Sequence, residues 1–471
     1  MPGPQRPSRP ILLCLSLTLV TLLGVPTAHA NLSPTEKWPT GPGACIDTPL
    51  RLVFPTPVHL GTTGKILVTH ASDHTVADSF DLAAGNFTDT IGGKTLRIDP
   101  ILIDGATVLI HLHRHTLRYG ETYAVAIDPT VFLDAQNQPF SSLSDKNAWT
   151  FSVRCAPAAP LVKRLVAADG TGDFCTVQGA IDDIPLPNPT PTLVFVKAGT
   201  YDGLVRIPQT LDHLTLLGQD RKKTILTALD SEKLNPSVSA RSVVCAQGND
   251  LLLQNLTLRN RTPWKGTQSE TLYLNAERCI LRDDDFSSFQ DTLCLNGRVY
   301  VANCSIEGDV DFIWGFGSVF LDRCEVHALH GGYFVQARNA PTRPGYIFSR
   351  CKLTCADETK KCWLGRIDPV AFPASQVAYL HCLMGPGIPP EGWLLDAPKG
   401  QPKTTPVLPG PQLQFEEYRT LDLDGKPLDI SHRLPGSKQL TDAEAASLSD
   451  PAQVLAGPDQ WNPLATPPPS N

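Results

Sequence analysis

Residues 290–315 read QDTLCLNGRVYVANCSIEGDVDFIWG. Two strand-like apolar runs, Arg298–Ala302 and Asp311–Trp314, lie in this stretch. Turn signals at Asn296-Gly297 and Glu307-Gly308 punctuate it. Two carboxylates, Asp291 and Asp311, stand 20 residues apart. Asp311 leads straight into Phe312, Ile313 and Trp314, and an acid in such a run is costly to bury unless it is paired or functional.

The same stretch carries one copy of a repeated phrase, Ala302-Asn303-Cys304-Ser305-Ile306. Other copies are centred on Cys279, Cys324, Cys351 and Cys382, at spacings of 25, 20, 27 and 31 residues, and Gln254–Leu258 has Leu256 in place of Cys. A repeat of this length with short strands in each unit indicates a solenoid. A parallel β-helix is predicted, with each coil placing its Cys on one inward ladder at rungs of about 4.8 Å. Small, apolar, buried packing is the expected role of these thiols. Cys355 and Cys362 lie off the ladder at the ends of the charged loop 356–361, placed to bridge. Cys351, Cys355 and Cys362 lack a fourth ligand at zinc spacing.

Upstream the texture differs. Arg6 and Arg9 precede an apolar run, Ile11–Val25, and Ala28-His29-Ala30 fits a cleavage site, so residues 1–30 are read as a signal peptide and the protein as secreted, extracellular or periplasmic. No later stretch is long and apolar enough to cross a bilayer as a helix. Without Arg6 and Arg9 the chain has 38 basic and 47 acidic residues, which argues against nucleic acid as a partner. Residues 31–155 show short β-branched runs between turn clusters, including Lys65–Thr69, Thr107–Leu112 and Thr122–Ile127, and read as a small β-sandwich. Tyr123–Ile127, Asp134–Asn137 and Trp149–Val153 make it similar to the immunoglobulin-like modules of secreted bacterial enzymes. Cys45 and Cys155 bracket this module and are placed to clamp its ends. His111, His113 and His115 alternate, so on one strand they share a face, more readily an exposed polar face than a metal site. Residues 156–161 form a Pro/Ala linker, and 162–400 carry the solenoid. Residues 401–471 are Pro-rich loops and short helices, one opened by the capping box Thr441–Glu444.

The spacing also implies chemistry. If Asp291 and Asp311 share an outer face one coil apart, their carboxylates approach within roughly 5 Å. Two such acids cannot both ionise freely, which leaves a protonated acid beside a carboxylate. Gln268 lies 22 residues before Gln290, again one coil, and two neutral amides beside two acids suit an oxyanion hole. A bend is required between Gln290 and Asp291, because neighbours in a flat strand face opposite ways. Arg366, in Trp363-Leu364-Gly365-Arg366, is either a structural ion-pair partner or the cation that orients Asp311.

In this order the motifs resemble a known family. From about Val166 to Trp461 the chain is similar to the pectinesterases, secreted right-handed parallel β-helix enzymes. Val166–Val177 looks like their opening segment, and Gly199-Thr200-Tyr201 their first signature. Gln268–Leu272 occupies the place of the second, Gln290–Leu293 matches the third, Asp311–Gly315 the fourth and Leu364-Gly365-Arg366 the fifth. The resemblance implies methyl-ester removal from pectin (polygalacturonate). Asp311 would be the nucleophile, Asp291 the general acid and then base, Gln268 and Gln290 the oxyanion stabilisers, and Arg366 the holder of Asp311. Phe289 and Trp314 would line the sugar groove, or else pack in the core. It implies no metal or cofactor. A monomer is expected, although the sequence itself is silent on oligomeric state. The chain departs from the family's pattern at Gly203, where an acid is usual, in the polar Ser269-Glu270-Thr271, at Cys294, and at Ile367-Asp368, where the family has Pro-Trp. Alternatives are an esterase of this fold acting on another uronate ester or a thioester, and a non-catalytic glycan-binding solenoid.

Overall fold

The computed structural model describes residues 33–141, 143, 149–188, 190–397, 400–402, 407 and 409–465. The expected leader, residues 1–30, lies outside them.

The chain is all-β, and three long parallel sheets wind it into a right-handed β-helix. One sheet has eleven strands, the second nine and the third six. The central coils donate one strand to each sheet, as Cys279–Arg282, Asp285–Ser287 and Leu293–Asn296 do, followed by Arg298–Ala302, Ser305–Gly308 and Ile313–Gly315. Stacking in register puts like on like. Leu258, Phe286, Ile306, Val326, Leu353 and Met384 follow one another down the second sheet, all essentially out of water. Burial of each such side chain stabilises the fold by roughly 1.5–3 kcal/mol.

The thiol ladder is present, with one substitution of place. Leu256, Asp284, Cys304, Cys324, Cys351 and Cys382 form its rungs, linked by backbone hydrogen bonds from Asp285 to Leu256, Ser305 to Asp284, Glu325 to Cys304 and so on. Cys279 is not a rung. It opens a strand, paired with Val299, and the buried Asp284 fills the position expected for it. The repeated phrase encodes the corner before the rung. Asn255, Asp283, Asn303, Arg323, Arg350 and His381 all have φ between 52° and 58°, a left-handed residue that turns the chain from the first sheet into the second. Leu251–Leu258 therefore splits into two strands at Asn255.

Residues 33–153 form a four-stranded and a five-stranded, mainly antiparallel sheet around a shared core that includes Leu52, Val68, Tyr123 and Trp149. The strand at Thr107–Ile110 stops short of the histidines. His111, His113 and His115 thus do not share a strand face. His113 stacks on Phe80 and meets Asp78 at 2.6 Å, and burial pulls His111 down to about 4. The hairpin Phe87–Ile91 and Lys94–Ile98 inserts Ile91 and Leu96 into the solenoid's core, covering its first coils. The thiols of the described residues are free, so the bridge expected between Cys355 and Cys362 is not made. Cys155 is exposed, whereas Cys45 is buried beside Cys175 and Arg154, so the expected Cys45–Cys155 clamp is not made. The Arg154 amide still donates to the Ala44 carbonyl at 3.0 Å, and the Arg154 guanidinium, not the Cys155 thiol, reaches Cys45. Past residue 400 the first sheet continues through Gln414–Tyr418 and Lys438–Gln439, so the solenoid outruns its expected limit. The capping box at Thr441 and Glu444 opens the helix Asp442–Leu448, which lays Ala445 on the outer face of the first sheet near Tyr300, Phe320 and Ile347. Among the described residues no helix is long and apolar enough to cross a membrane.

Candidate active site

A corner between the second and third sheets builds the site. Asp291 and Asp311 sit at equivalent places on successive coils, since Leu293 pairs with Ile313 two residues later in each. Both have left-handed backbones, φ 65° at Asp291 and 49° at Asp311. This is the bend the sequence required between Gln290 and Asp291. It is uncommon for residues other than glycine, and such conformations collect at functional sites. Gln290 bridges Val310, and the Asp291 amide donates to the Val310 carbonyl at 3.1 Å. The Ser269 amide donates to the Gln290 carbonyl at 3.2 Å. Gln268, Gln290 and Asp291, with Asp311 above, are therefore stepped over three coils. Both glutamines are half-exposed, while Asp291 and Asp311 are 9% and 6% exposed.

Arg366 joins from the end of a short strand, Gly365–Ile367. Its Nη2 lies 2.9 Å from Asp311 Oδ2, and its Nε lies 3.4 Å from Asp396. The guanidinium also rests over the Tyr333 ring at 4.7 Å. Burial raises Asp311 to about 6, opposed by Arg366 and Arg338. Burial raises Asp291 further, to about 8, helped by Glu270 and Asp311 and opposed by Arg241 and Arg338. One acid is thus set to hold a proton at a pH where the other is ionised, a division of labour suited to an acid beside a nucleophile.

Three charged neighbours were not singled out from the sequence. Glu270, fully buried, takes two hydrogen bonds from Arg241 at 2.6 and 2.7 Å, and Arg241 also reaches Asp291 at 3.3 Å. Arg338 covers the Trp314 ring at 4.6 Å. Trp314 is 6% exposed under that cover, so it presents no open face to a sugar. Phe289 is half-buried and tilted against His330, which stacks on the exposed Trp264 at 4.2 Å. The polarity of the second motif was the one available signal for Glu270. Arg241 and Arg338 carry none, because the coil to which each returns is a tertiary fact.

Residues 163–405 match the family model described as Pectinesterase. The chain belongs to the pectinesterase family. It is 30% identical to Pectinesterase 31 of Arabidopsis thaliana over 306 residues, 61% of this chain and 92% of that one. It is 29% identical to a pectinesterase of Petunia integrifolia over 242 residues, 48% of this chain and 64% of the relative. Among solved structures, pectin methylesterase from carrot superposes with a TM-score of 0.58 at 25% identity, covering 67% of this chain and 99% of the carrot enzyme. The Aspergillus niger pectin methylesterase gives 0.54 at 25% identity, covering 64% and 96%. These matches account for the β-helix and leave residues 31–155 outside the family model.

Proposed function

We propose that this pectinesterase is a secreted carboxylic ester hydrolase that removes methyl esters from pectin. The observation that carries the reading is the Arg366–Asp311 ion pair at 2.9 Å, one coil from a second acid on the same bend. The Asp311 carboxylate attacks the ester carbonyl carbon, and the amides of Gln268 and Gln290 receive the negative charge that develops on the carbonyl oxygen. Collapse of the tetrahedral intermediate expels the methoxy group. Asp291 gives it a proton, and methanol leaves. The acyl group is now on Asp311. Asp291, ionised, takes a proton from water, whose oxygen attacks the acyl carbon. The free uronate departs, Asp311 regains its carboxylate, and Asp291 its proton. Arg366 is a positioning residue that keeps Asp311 ionised and aimed.

A different uronate ester is a second reading, favoured by the residues after Arg366. Ile367 is buried, and Asp368 is spent capping a turn at the amides of Val370 and Ala371. Neither offers a wall to a sugar ring.

The test is methanol release from highly methylated pectin, with new carboxyl groups titrated in parallel and Asp291→Asn as the impaired control. Equal yields of methanol and carboxylate are expected. No methanol from pectin, with cleavage of another uronate ester, would favour the second reading.

A further inference from the structure

Cys45 and Cys175 stand 130 residues apart in the chain and meet where the β-sandwich touches the solenoid. Cys45 follows the strand Gly41–Ala44 of the sandwich, and Cys175 comes just before the short helix Val177–Asp182 at the solenoid's first coil. Their sulfurs lie within 4.8 Å of each other, and at 0% and 3% exposure both residues are out of water. The neighbouring Cys45 sulfur, and after it burial, pushes the Cys175 thiol up.

Polar contacts fix the backbone on both sides of the pair. The Asp47 carboxylate accepts from the amides of Cys175 and Thr176 at 2.9 and 2.8 Å, and from the Thr176 hydroxyl at 2.6 Å. Arg154 donates to the carbonyls of Gly172 and Gly170 at 2.8 and 3.1 Å, and to the Cys45 sulfur at 3.2 Å. Cys45, Asp47 and Cys175 together also offer three donor atoms to a cation. The carboxylate, however, is spent on Cys175 and Thr176, and a guanidinium already stands against the Cys45 sulfur. Two thiolates alone fall short of the four ligands of a structural zinc site.

We propose that Cys45 and Cys175 are the site of a disulfide that ties the sandwich to the solenoid. The oxidising surroundings are those of the secretion proposed above. The oxidant is a second disulfide, that of oxidised glutathione or of a thiol-oxidising protein. One cysteine, as thiolate, attacks a sulfur of that disulfide, forms a mixed disulfide and releases one thiolate. The other cysteine then attacks the protein sulfur of the mixed disulfide, and the second thiolate leaves. Two electrons pass to the oxidant, and the two cysteine protons end on the two thiols it becomes. Because both sulfurs are buried, the exchange precedes docking of the sandwich, and docking then shields the bond. The hairpin already anchors the sandwich through Ile91 and Leu96, and the disulfide makes a second anchor covalent. Linker residues 156–160 are all exposed and open to proteolysis, so the bond keeps the two halves together after a cut there.

The test uses the full chain with a protease site placed in the linker, produced in an oxidising compartment behind an added leader sequence. It therefore depends neither on the protein's own export nor on pectin. After cleavage the wild type is expected to run as one band without reductant and as two with it. Mapping of alkylated, unreduced peptides by mass should show Cys45 joined to Cys175. Cys45→Ser and Cys175→Ser should each give two bands under both conditions. Fragments that part without reductant, with both thiols alkylated, refute the bond. A link that survives in Cys45→Ser, through Cys155, refutes the pairing. One zinc ion retained per chain, with both thiols unoxidised, refutes it as well and makes the cluster a metal site.

Discussion

Asp291 and Asp311 occupy the same left-handed bend on consecutive coils, and Arg366 grips only the second of them, at 2.9 Å. Two chemically identical side chains are thereby made unlike. Removing the grip should undo part of the distinction. Arg366→Gln is expected to lower kcat about 100-fold or more, and to move the acidic limb of the pH profile upward, because Asp311 loses the charge that favours its ionised form. A lower kcat with an unmoved limb would make Arg366 a packing residue.

The pH profile itself follows from the two acids. Attack needs Asp311 ionised, near or above about 6, and departure of methanol needs Asp291 protonated, near or below about 8. A bell-shaped kcat/KM with limbs close to these values is expected. Glu270 pushes Asp291 up and also occupies Arg241, which pushes it down. Glu270→Gln removes the first influence and frees the second, so the alkaline limb should fall. An upward shift of that limb would contradict the assignment of Asp291 as the acid.

Stability should register the same burial. The carboxyl of Asp291 titrates at about 8 in the folded chain, above its ordinary 3.8, so the folded state binds this proton more tightly than the unfolded state. Its contribution is greatest at low pH and is lost as pH rises from about 4 to about 8. Asparagine does not titrate. Asp291→Asn is expected to be more heat-stable than the wild type by a margin that widens from pH 5 to pH 8, while its activity falls. Thermal unfolding at the two pH values reads the margin, and a constant or shrinking one would count against a buried, proton-holding Asp291.

How much of this was written in the sequence depends on how far apart the partners lie. The 20-residue interval between the acids is one coil, so their stacking was legible from spacing, as was the thiol ladder from its phrase. The left-handed corners were not, since Asp, Arg and His occupy them as well as Asn. The same ambiguity misplaced Cys279, whose neighbour Arg278 turns a different corner at φ 60°. The role of Arg366 was suggested by resemblance and made physical only when its strand was seen to end beside Asp311. Arg338 lies in an unremarkable run, and its meaning depends on Trp314 beneath it and Phe372 across from it. The histidines at 111, 113 and 115 were misread because periodicity continued after the strand had ended at Ile110.

The most direct test of the central claim, that Asp311 is the nucleophile, is the kcat/KM of Asp311→Asn for methanol release from methylated pectin, with near-UV circular dichroism showing the fold retained. A fall of about 1,000-fold or more is expected, since an amide is a poor nucleophile and cannot take the acyl group in place of the carboxylate. Activity within about tenfold of the wild type would contradict it, however close Asp311 lies to Arg366.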